Sequence, residues 1–137
     1  MNYSISEAAK ITKLTPYTLR YYEKEGLLPF VRKTQSGLRI YTDNDIAWIG
    51  LIECLKSTGM PLKGIKQYID WFIAGDSTLS QRLNMFKEHR INVKNRLTQM
   101  RKNLERINHK IELYEEAVRL GSLEKAKSCP QFLTRLK

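Results

Sequence analysis

The alternation of polar and apolar residues near the N-terminus predicts a first short helix. Ser4 and Glu7 have the spacing of a capping box, in which each side chain satisfies a free backbone amide of the first turn. The apolar positions that follow recur with helical spacing and are expected to face a core. They are Ile5, Ala8, Ala9 and Ile11.

A second helix start follows after a short break. Thr15 can cap it, and Pro16 suits the first helical position. Leu19 and Tyr22 continue the apolar face, and Gly26 is a natural stop. Two short helices this close predict a helix-turn-helix, whose second helix would enter a DNA major groove.

The segment after Gly26 predicts a β-hairpin. Strand-forming residues lie on both sides of Gly37, and basic side chains along the hairpin could approach phosphates as a wing. DNA contacts are expected from the second helix, from the hairpin and from Lys63 farther along the chain. The residues are Pro16, Tyr17, Thr18, Arg20, Tyr21, Lys33, Arg39, Tyr41 and Lys63.

Two more helices are predicted behind this head. Thr42 and Asp45 form a plausible cap for a helix running to about Thr58. The turn 59–61 then leads into a helix with one apolar face, made of Leu62, Ile65, Tyr68, Ile69 and Phe72.

A heptad-like pattern fills the second half of the chain. It predicts one helix of about 54 Å that ends at Gly121. Only Arg90 interrupts the stripe, either to fix the register or to extend its charge to solvent. A lone helix cannot bury such a stripe, so we expect a coiled-coil homodimer. The dimerisation residues are Leu83, Phe86, Val93, Leu97, Met100, Leu104, Ile107, Ile111, Tyr114 and Val118.

The order T-P-Y-T-L-R-Y-Y-E-K-E-G-L-L, then R-x-Y and Asp45, then G-M-P-L-K-x-I, resembles the MerR family of bacterial transcription regulators. The resemblance implies a mainly α fold with a winged helix-turn-helix head (residues 1–75). A dimerisation helix (76–120) that pairs in an antiparallel coiled coil and a short tail (121–137) would follow. It further implies an operator between the −35 and −10 elements, which the dimer distorts so that RNA polymerase can use both.

The charge balance adds modest support for a nucleic-acid partner. The net charge is +10, with 24 Lys and Arg against 14 Asp and Glu. Most of the excess lies after residue 78, where basic residues can simply solvate a helix surface. The head motifs therefore carry the DNA-binding prediction.

The sequence also indicates a compartment. No apolar run reaches the roughly 20 residues of a membrane helix, and Lys10 and Lys13 argue against a signal peptide. Two cysteines 75 positions apart do not indicate a disulfide framework. We expect a cytoplasmic, nucleoid-associated protein with no membrane partner.

No cofactor or metal is expected. Metal-sensing members of the family place paired cysteines after the long helix, where this chain has only Cys129 and no nearby histidine. His89 and His109 lie apart on the long helix and are expected to be solvated. Drug-sensing members carry a large C-terminal domain, which the short tail does not provide.

Cys54 is the candidate sensor. On its own it could be a small buried hydrophobe, since Ala47 and Leu51 precede it with helical spacing. The segment resembles the MerR subgroup that responds to aldehydes and other electrophiles through a single cysteine. A thiolate suits that chemistry, or oxidation. Cys129, in a polar tail, is expected to be an incidental thiol.

Three function classes remain to be compared. A dimeric promoter-binding regulator that senses electrophiles or oxidative stress is the leading hypothesis. A regulator of the same family with a metal or small-molecule signal is the first alternative, and a coiled-coil adaptor that binds protein is the second. An enzyme is not expected, because the chain has no phosphate loop, HExxH or GxSxG.

Overall fold

The computed structural model describes residues 1–133 and is mainly helical. The predicted helix-turn-helix, small wing and long C-terminal helix are all present. In chain order the elements are β1 (Asn2–Tyr3), α1 (Ile5–Thr12), α2 (Pro16–Lys24), β2 (Arg32–Lys33), β3 (Arg39–Thr42), α3 (Asp43–Ser57), α4 (Leu62–Ala74), a 3₁₀ turn (Asp76–Thr78), α5 (Leu79–Leu120), α6 (Leu123–Lys127) and α7 (Pro130–Leu133).

Side-chain caps fix where the first two helices begin. The Glu7 amide donates to Ser4 Oγ at 3.2 Å, and the Ser4 amide donates to Glu7 Oε1 at 3.1 Å. The Thr18 amide donates to Thr15 Oγ1 at 3.1 Å at the start of α2. The predicted capping box and threonine cap are confirmed. The expectation that Ile11 faces the core is wrong, because half of its surface is exposed near the end of α1.

Three short strands form one antiparallel sheet in the order β1-β3-β2. The pairing of Lys33 with Arg39 defines the wing, and Gly37 in its turn has a φ of 90°, which favours glycine. Strand β1 was not predicted. It pairs Tyr3 with Tyr41 and thereby adds a third strand to the predicted hairpin.

The head core gathers around α3. Its buried face contacts α1, β3 and α4, and presents Ile49, Ile52 and Leu55, each at most 3% exposed. The turn after α2 is fixed by Gly26, whose φ of 77° disfavours other residues. The remaining buried apolar residues of this core are Ala8, Ala9, Leu19, Tyr22, Leu27, Leu28, Tyr41, Met60, Ile65 and Ile69.

The described chain forms two compact units with a boundary inside α5. The first unit is Met1–Arg90, and the second begins at Ile91. The first turns of α5 belong to the head, because Met85 and Phe86 pack against its core. The ring of Phe86 lies 5.0 Å from that of Tyr68. Phe86, which was expected in the dimer seam, is a partly buried packing residue of its own head, and its contact with a second copy stays a prediction.

The second unit contains its own small core. Leu113 and Ala117 of α5 pack against Ala126 of α6 and Phe132 of α7. The expected tail therefore begins with two short helices, while its last four residues lie outside the described part. The predicted stripe is otherwise at least half exposed on the single chain at Leu83, Leu97, Met100, Leu104, Ile107, Ile111, Tyr114 and Val118, whereas Val93 is partly buried.

Among residues 1–133, no helix is both long enough and apolar enough to cross a membrane.

Asp45 offers a direct test of the cap that starts α3. It is 4% exposed, and its Oδ2 accepts from the Thr42 amide at 2.9 Å and from Thr42 Oγ1 at 3.0 Å. Asp45→Ala should lower the free energy of unfolding by about 1–3 kcal/mol, because it leaves both partly buried donors of Thr42 without this acceptor. Chemical denaturation followed by circular dichroism measures the loss. The exposed neighbour provides the control, since Asn44→Ala should change stability by less than about 0.5 kcal/mol. Equal stability of the two variants would contradict the assigned cap.

Candidate DNA-binding surface and sensor segment

The outer face of α2 carries the exposed side chains that a recognition helix needs. Tyr17 is 78% exposed, Arg20 is exposed, and Tyr21 is 40% exposed. Pro16 and Thr18 are partly buried at the start of the helix, where Thr18 Oγ1 lies 3.0 Å from Thr15 Oγ1. Two phenol rings and one guanidinium are thus presented on one short helix.

A groove lies between α2 and the wing, and most of the residues that line it are charged. Arg20 and Lys24 line it from the helix, and Lys33 and Arg39 line it from the strands. Glu23 is the acidic side chain in the groove. Four cations around one acid make the groove suitable for a polyanion, and guanidinium groups can bind phosphate or guanine edges. Lys24 was not among the expected DNA contacts, although its position one turn after Arg20 could have indicated it.

An ion pair joins the recognition helix to the wing. Arg39 Nε donates to the Glu23 carboxylate at 2.6 Å, and both side chains are partly buried. The pair uses part of the Arg39 donor set and fixes β3 against α2. In the described residues, no ion pair joins Arg20 to an acidic side chain, which leaves its guanidinium available to a ligand.

Tyr41 does not belong to the DNA-contacting surface, so that prediction is wrong. Its side chain is fully buried in the head core, whereas Arg39, two positions earlier on β3, is only partly buried. Burial raises the pKa of its phenol above the ordinary value, and the nearby Glu23 raises it further. Its hydroxyl has no hydrogen-bond partner among the described protein atoms.

The remaining two predicted contacts lie at the surface. Lys33 is exposed on β2, and Lys63 is exposed in the first turn of α4. Contact of either residue with DNA stays a prediction.

Cys54 lies on the exposed side of α3. The interpretation of this residue as a buried hydrophobe is wrong for the single chain, since Cys54 and Ala47 are exposed and Leu51 is partly buried. Cys129 is partly buried instead of lying in a polar tail. It packs against the small core of the second unit, with its Sγ 3.5 Å from the Lys125 carbonyl oxygen.

Polar contacts tie the segment around Cys54 to the recognition helix. The buried Tyr22 of α2 donates its hydroxyl to Glu53, and Lys56 Nζ donates to the same hydroxyl at 2.9 Å. Burial raises the pKa of Tyr22, and the hydrogen bond to Glu53 raises it further, so its phenol stays protonated. Sequence reasoning missed this cluster because its members are 31 and 34 positions apart.

The same segment also contacts α5. Thr58 Oγ1 lies 2.8 Å from His89 Nε2 and donates to the Cys54 carbonyl oxygen at 2.8 Å. His89 is partly buried, so the expectation that it is solvated is wrong. The sequence did not indicate this contact, because Thr58 and His89 are 31 positions apart and meet only where the first turns of α5 pack on the head.

No metal centre is evident in the described chain. Within residues 1–133, no group of three His, Cys, Asp or Glu side chains is placed to hold an ion.

Comparisons with known proteins agree with this arrangement. A family model described as MerR HTH family regulatory protein matches residues 3–70. An uncharacterized HTH-type transcriptional regulator of Haemophilus influenzae is 41% identical over 131 residues, which is 96% of each chain. The HTH-type transcriptional regulator AdhR of Bacillus subtilis is 39% identical over 87 residues, covering 64% of this chain and 62% of that protein.

A solved structure extends the likeness to the whole fold. The crystal structure of HiNmlR, a MerR family regulator lacking the sensor domain and bound to promoter DNA, superposes with a TM-score of 0.87. It shares 40% sequence identity and covers 96% of this chain and 98% of that one. The similar proteins are transcription regulators and not enzymes. The chain belongs to the MerR family of DNA-binding transcription regulators.

Proposed function

We propose that the protein is a homodimeric promoter regulator that distorts its operator in response to electrophiles sensed at Cys54. The observation that carries the DNA-reading part is the cationic groove beside the exposed face of α2. HiNmlR, which is similar over almost its whole length, is bound to promoter DNA in its crystal structure. A promoter-binding role would place the protein in the cytoplasm with the bacterial chromosome.

DNA reading would use the helix and the wing together. Tyr17, Arg20 and Tyr21 enter the major groove, while Lys33 contacts a neighbouring phosphate. Arg39, held by Glu23, sets the distance between the helix and the wing. Lys63, on α4, adds a further contact to the backbone.

The exposed stripe of α5 supports the dimer. Its apolar side chains are at least half exposed from Leu97 to Val118 on a single chain, which is costly in water unless a second copy covers them. Dimerisation relates two heads by a two-fold axis, so the operator is expected to be pseudo-palindromic. We propose the antiparallel coiled coil that the family resemblance implies.

Cys54 supplies the chemistry of the signal. Its thiolate sulfur would add to the carbonyl carbon of an aldehyde, the new C–S bond would replace the C=O π bond, and the oxygen would take up a proton. An enone would react by the analogous addition at its β carbon. The exposure of Cys54 gives such a small electrophile access.

Signal output would be a change in DNA geometry instead of a loss of binding. The modified dimer would bend and untwist the operator, so that RNA polymerase contacts both promoter elements. The similarity to AdhR covers 64% of this chain, and the inducer is to be identified by experiment. A metal or another small molecule remains the alternative signal, and a protein-binding adaptor is less favoured because of the cationic groove.

Arg20 tests the DNA-binding surface. Arg20→Ala should weaken operator binding by about 1–3 kcal/mol if the guanidinium reads a base, and by less if it contacts only phosphate. Fluorescence anisotropy with a labelled operator, at several salt concentrations, measures both the affinity and its salt slope. Lys102→Ala, an equal loss of charge on exposed α5, serves as the control and should leave affinity unchanged. Wild-type affinity of Arg20→Ala at matched salt would remove Arg20 from the interface.

Leu104 tests the dimer. Leu104→Asp places a charge in the middle of the stripe and should weaken dimerisation by about 3 kcal/mol or more, roughly a hundredfold in the dissociation constant. Analytical ultracentrifugation measures the change. Gln99→Asp adds the same charge at an exposed position outside the stripe and should stay dimeric. A tight dimer with full operator affinity in Leu104→Asp would refute the coiled-coil interface.

Cys54 tests the signal. Cys54→Ser removes the soft nucleophile at nearly constant size and should bind the operator with wild-type affinity, yet fail to activate transcription with formaldehyde, methylglyoxal or a quinone. In vitro transcription from the promoter provides the measurement, and Cys129→Ser is the matched control that should respond normally. Full induction of Cys54→Ser would return Cys54 to a structural role, and loss of response only in Cys129→Ser would move the sensor to the second unit.

A further inference from the structure

Residues 53–58 at the end of α3 are held by polar contacts from two different helices. On one side, Glu53 and Lys56 hold the hydroxyl of Tyr22 in the recognition helix α2. On the other side, Thr58 contacts His89 in the first turns of α5. The candidate sensor Cys54 lies inside this doubly held segment.

The contact with α5 is directional and reaches the backbone of the sensor residue. Thr58 Oγ1 is 2.8 Å from His89 Nε2 and 2.8 Å from the carbonyl oxygen of Cys54. That carbonyl also accepts from the Thr58 amide at 3.1 Å and from Ser57 Oγ at 3.0 Å. The hydroxyls of Ser57 and Thr58 therefore add side-chain hydrogen bonds to the backbone bond at this end of α3.

His89 contacts a different helix from its apolar neighbour on α5. Phe86, one turn earlier, packs on Tyr68 of α4 with the ring centroids 5.0 Å apart. His89 instead reaches the end of α3. Apolar contacts have no preferred direction, whereas a hydrogen bond of 2.8 Å weakens steeply when its geometry changes. His89 is therefore the contact of α5 that responds to displacement of the Cys54 turn.

We propose that the Thr58–His89 hydrogen bond is the link that couples the sensor turn of α3 to α5. The proposal rests on the proposed function, because it specifies how a change at Cys54 reaches the dimerisation helix. An added group on Cys54 displaces the end of α3, the bond to His89 shifts, and the first turns of α5 shift with it. The Tyr22–Glu53–Lys56 contacts carry the same displacement to α2.

His89 acts in this scheme as a positioning residue and not as a base for the thiol. The hydrogen-bonded chain from His89 ends on the carbonyl oxygen of Cys54 and does not reach its sulfur. The reactivity of the thiol should therefore be independent of His89. The rate of Cys54 alkylation therefore distinguishes the two roles. Loss of a histidine that activates the thiol would slow alkylation, whereas loss of a positioning histidine would not.

The test compares His89→Ala and Thr58→Val with His89→Gln, whose amide can still hydrogen-bond to Thr58. Full-length dimers are assayed for operator affinity, for the rate of Cys54 alkylation by methylglyoxal in mass spectrometry, and for transcription with and without methylglyoxal. Lys87→Ala, at an exposed position on the same part of α5, is the control. Thermal melting by circular dichroism verifies that each variant folds.

We expect His89→Ala and Thr58→Val to be alkylated at the wild-type rate and to bind the operator within about twofold of wild type. Their induction ratio should fall at least about fivefold, and His89→Gln should restore most of it. Wild-type induction in both His89→Ala and Thr58→Val would overturn the link. A slower alkylation of Cys54 in His89→Ala would also overturn it in favour of thiol activation.

The result for Cys54→Ser keeps the two proposals distinguishable. Full induction of that variant sinks the thiol sensor, while loss of induction in His89→Ala still supports the link to α5. If the wild-type protein does not respond to methylglyoxal, the test of the Thr58–His89 link uses the level of transcription without inducer, measured with the operator saturated by protein. His89→Ala must then change that level at least about threefold, and an unchanged level overturns the link.

Discussion

The head depends on the burial of one face of α3. Ile49, Ile52 and Leu55 fill the centre of its core, and the helix contacts α1, β3 and α4 at once. A core this small contains few other buried side chains that could compensate for a shift, and close-packed interiors respond even to a single methylene. The proposed signal depends on how a displacement of α3 would be transmitted through these contacts.

Polar contacts give that transmission a direction. Glu23 holds Arg39 of the wing at 2.6 Å, and Tyr22 of α2 is held by Glu53 and Lys56. These contacts connect α2 and the wing to the end of α3. The opposite side of that end contacts His89 of α5, so one helical turn joins the reader to the helix that carries the exposed apolar stripe.

Local sequence signals predicted the parts of the fold that are determined locally. The capping pairs of α1 and α3, the Thr15-Pro16 start of α2, and the long helix all appear as expected, because caps and periodicity act within a few residues. Long-range contacts could not be predicted in this way. Tyr41 is buried in a core built from several elements, and Phe86 and His89 contact the head from the start of α5.

The central claim is that the signal changes the geometry of bound DNA while the protein stays bound. The direct test is energy transfer between fluorophores at the two ends of an operator duplex, measured with saturating wild-type protein before and after treatment with methylglyoxal. We predict a change in the end-to-end distance with an unchanged fraction of bound DNA. An unchanged distance together with release of the operator would contradict the account, because induction would then act through affinity alone.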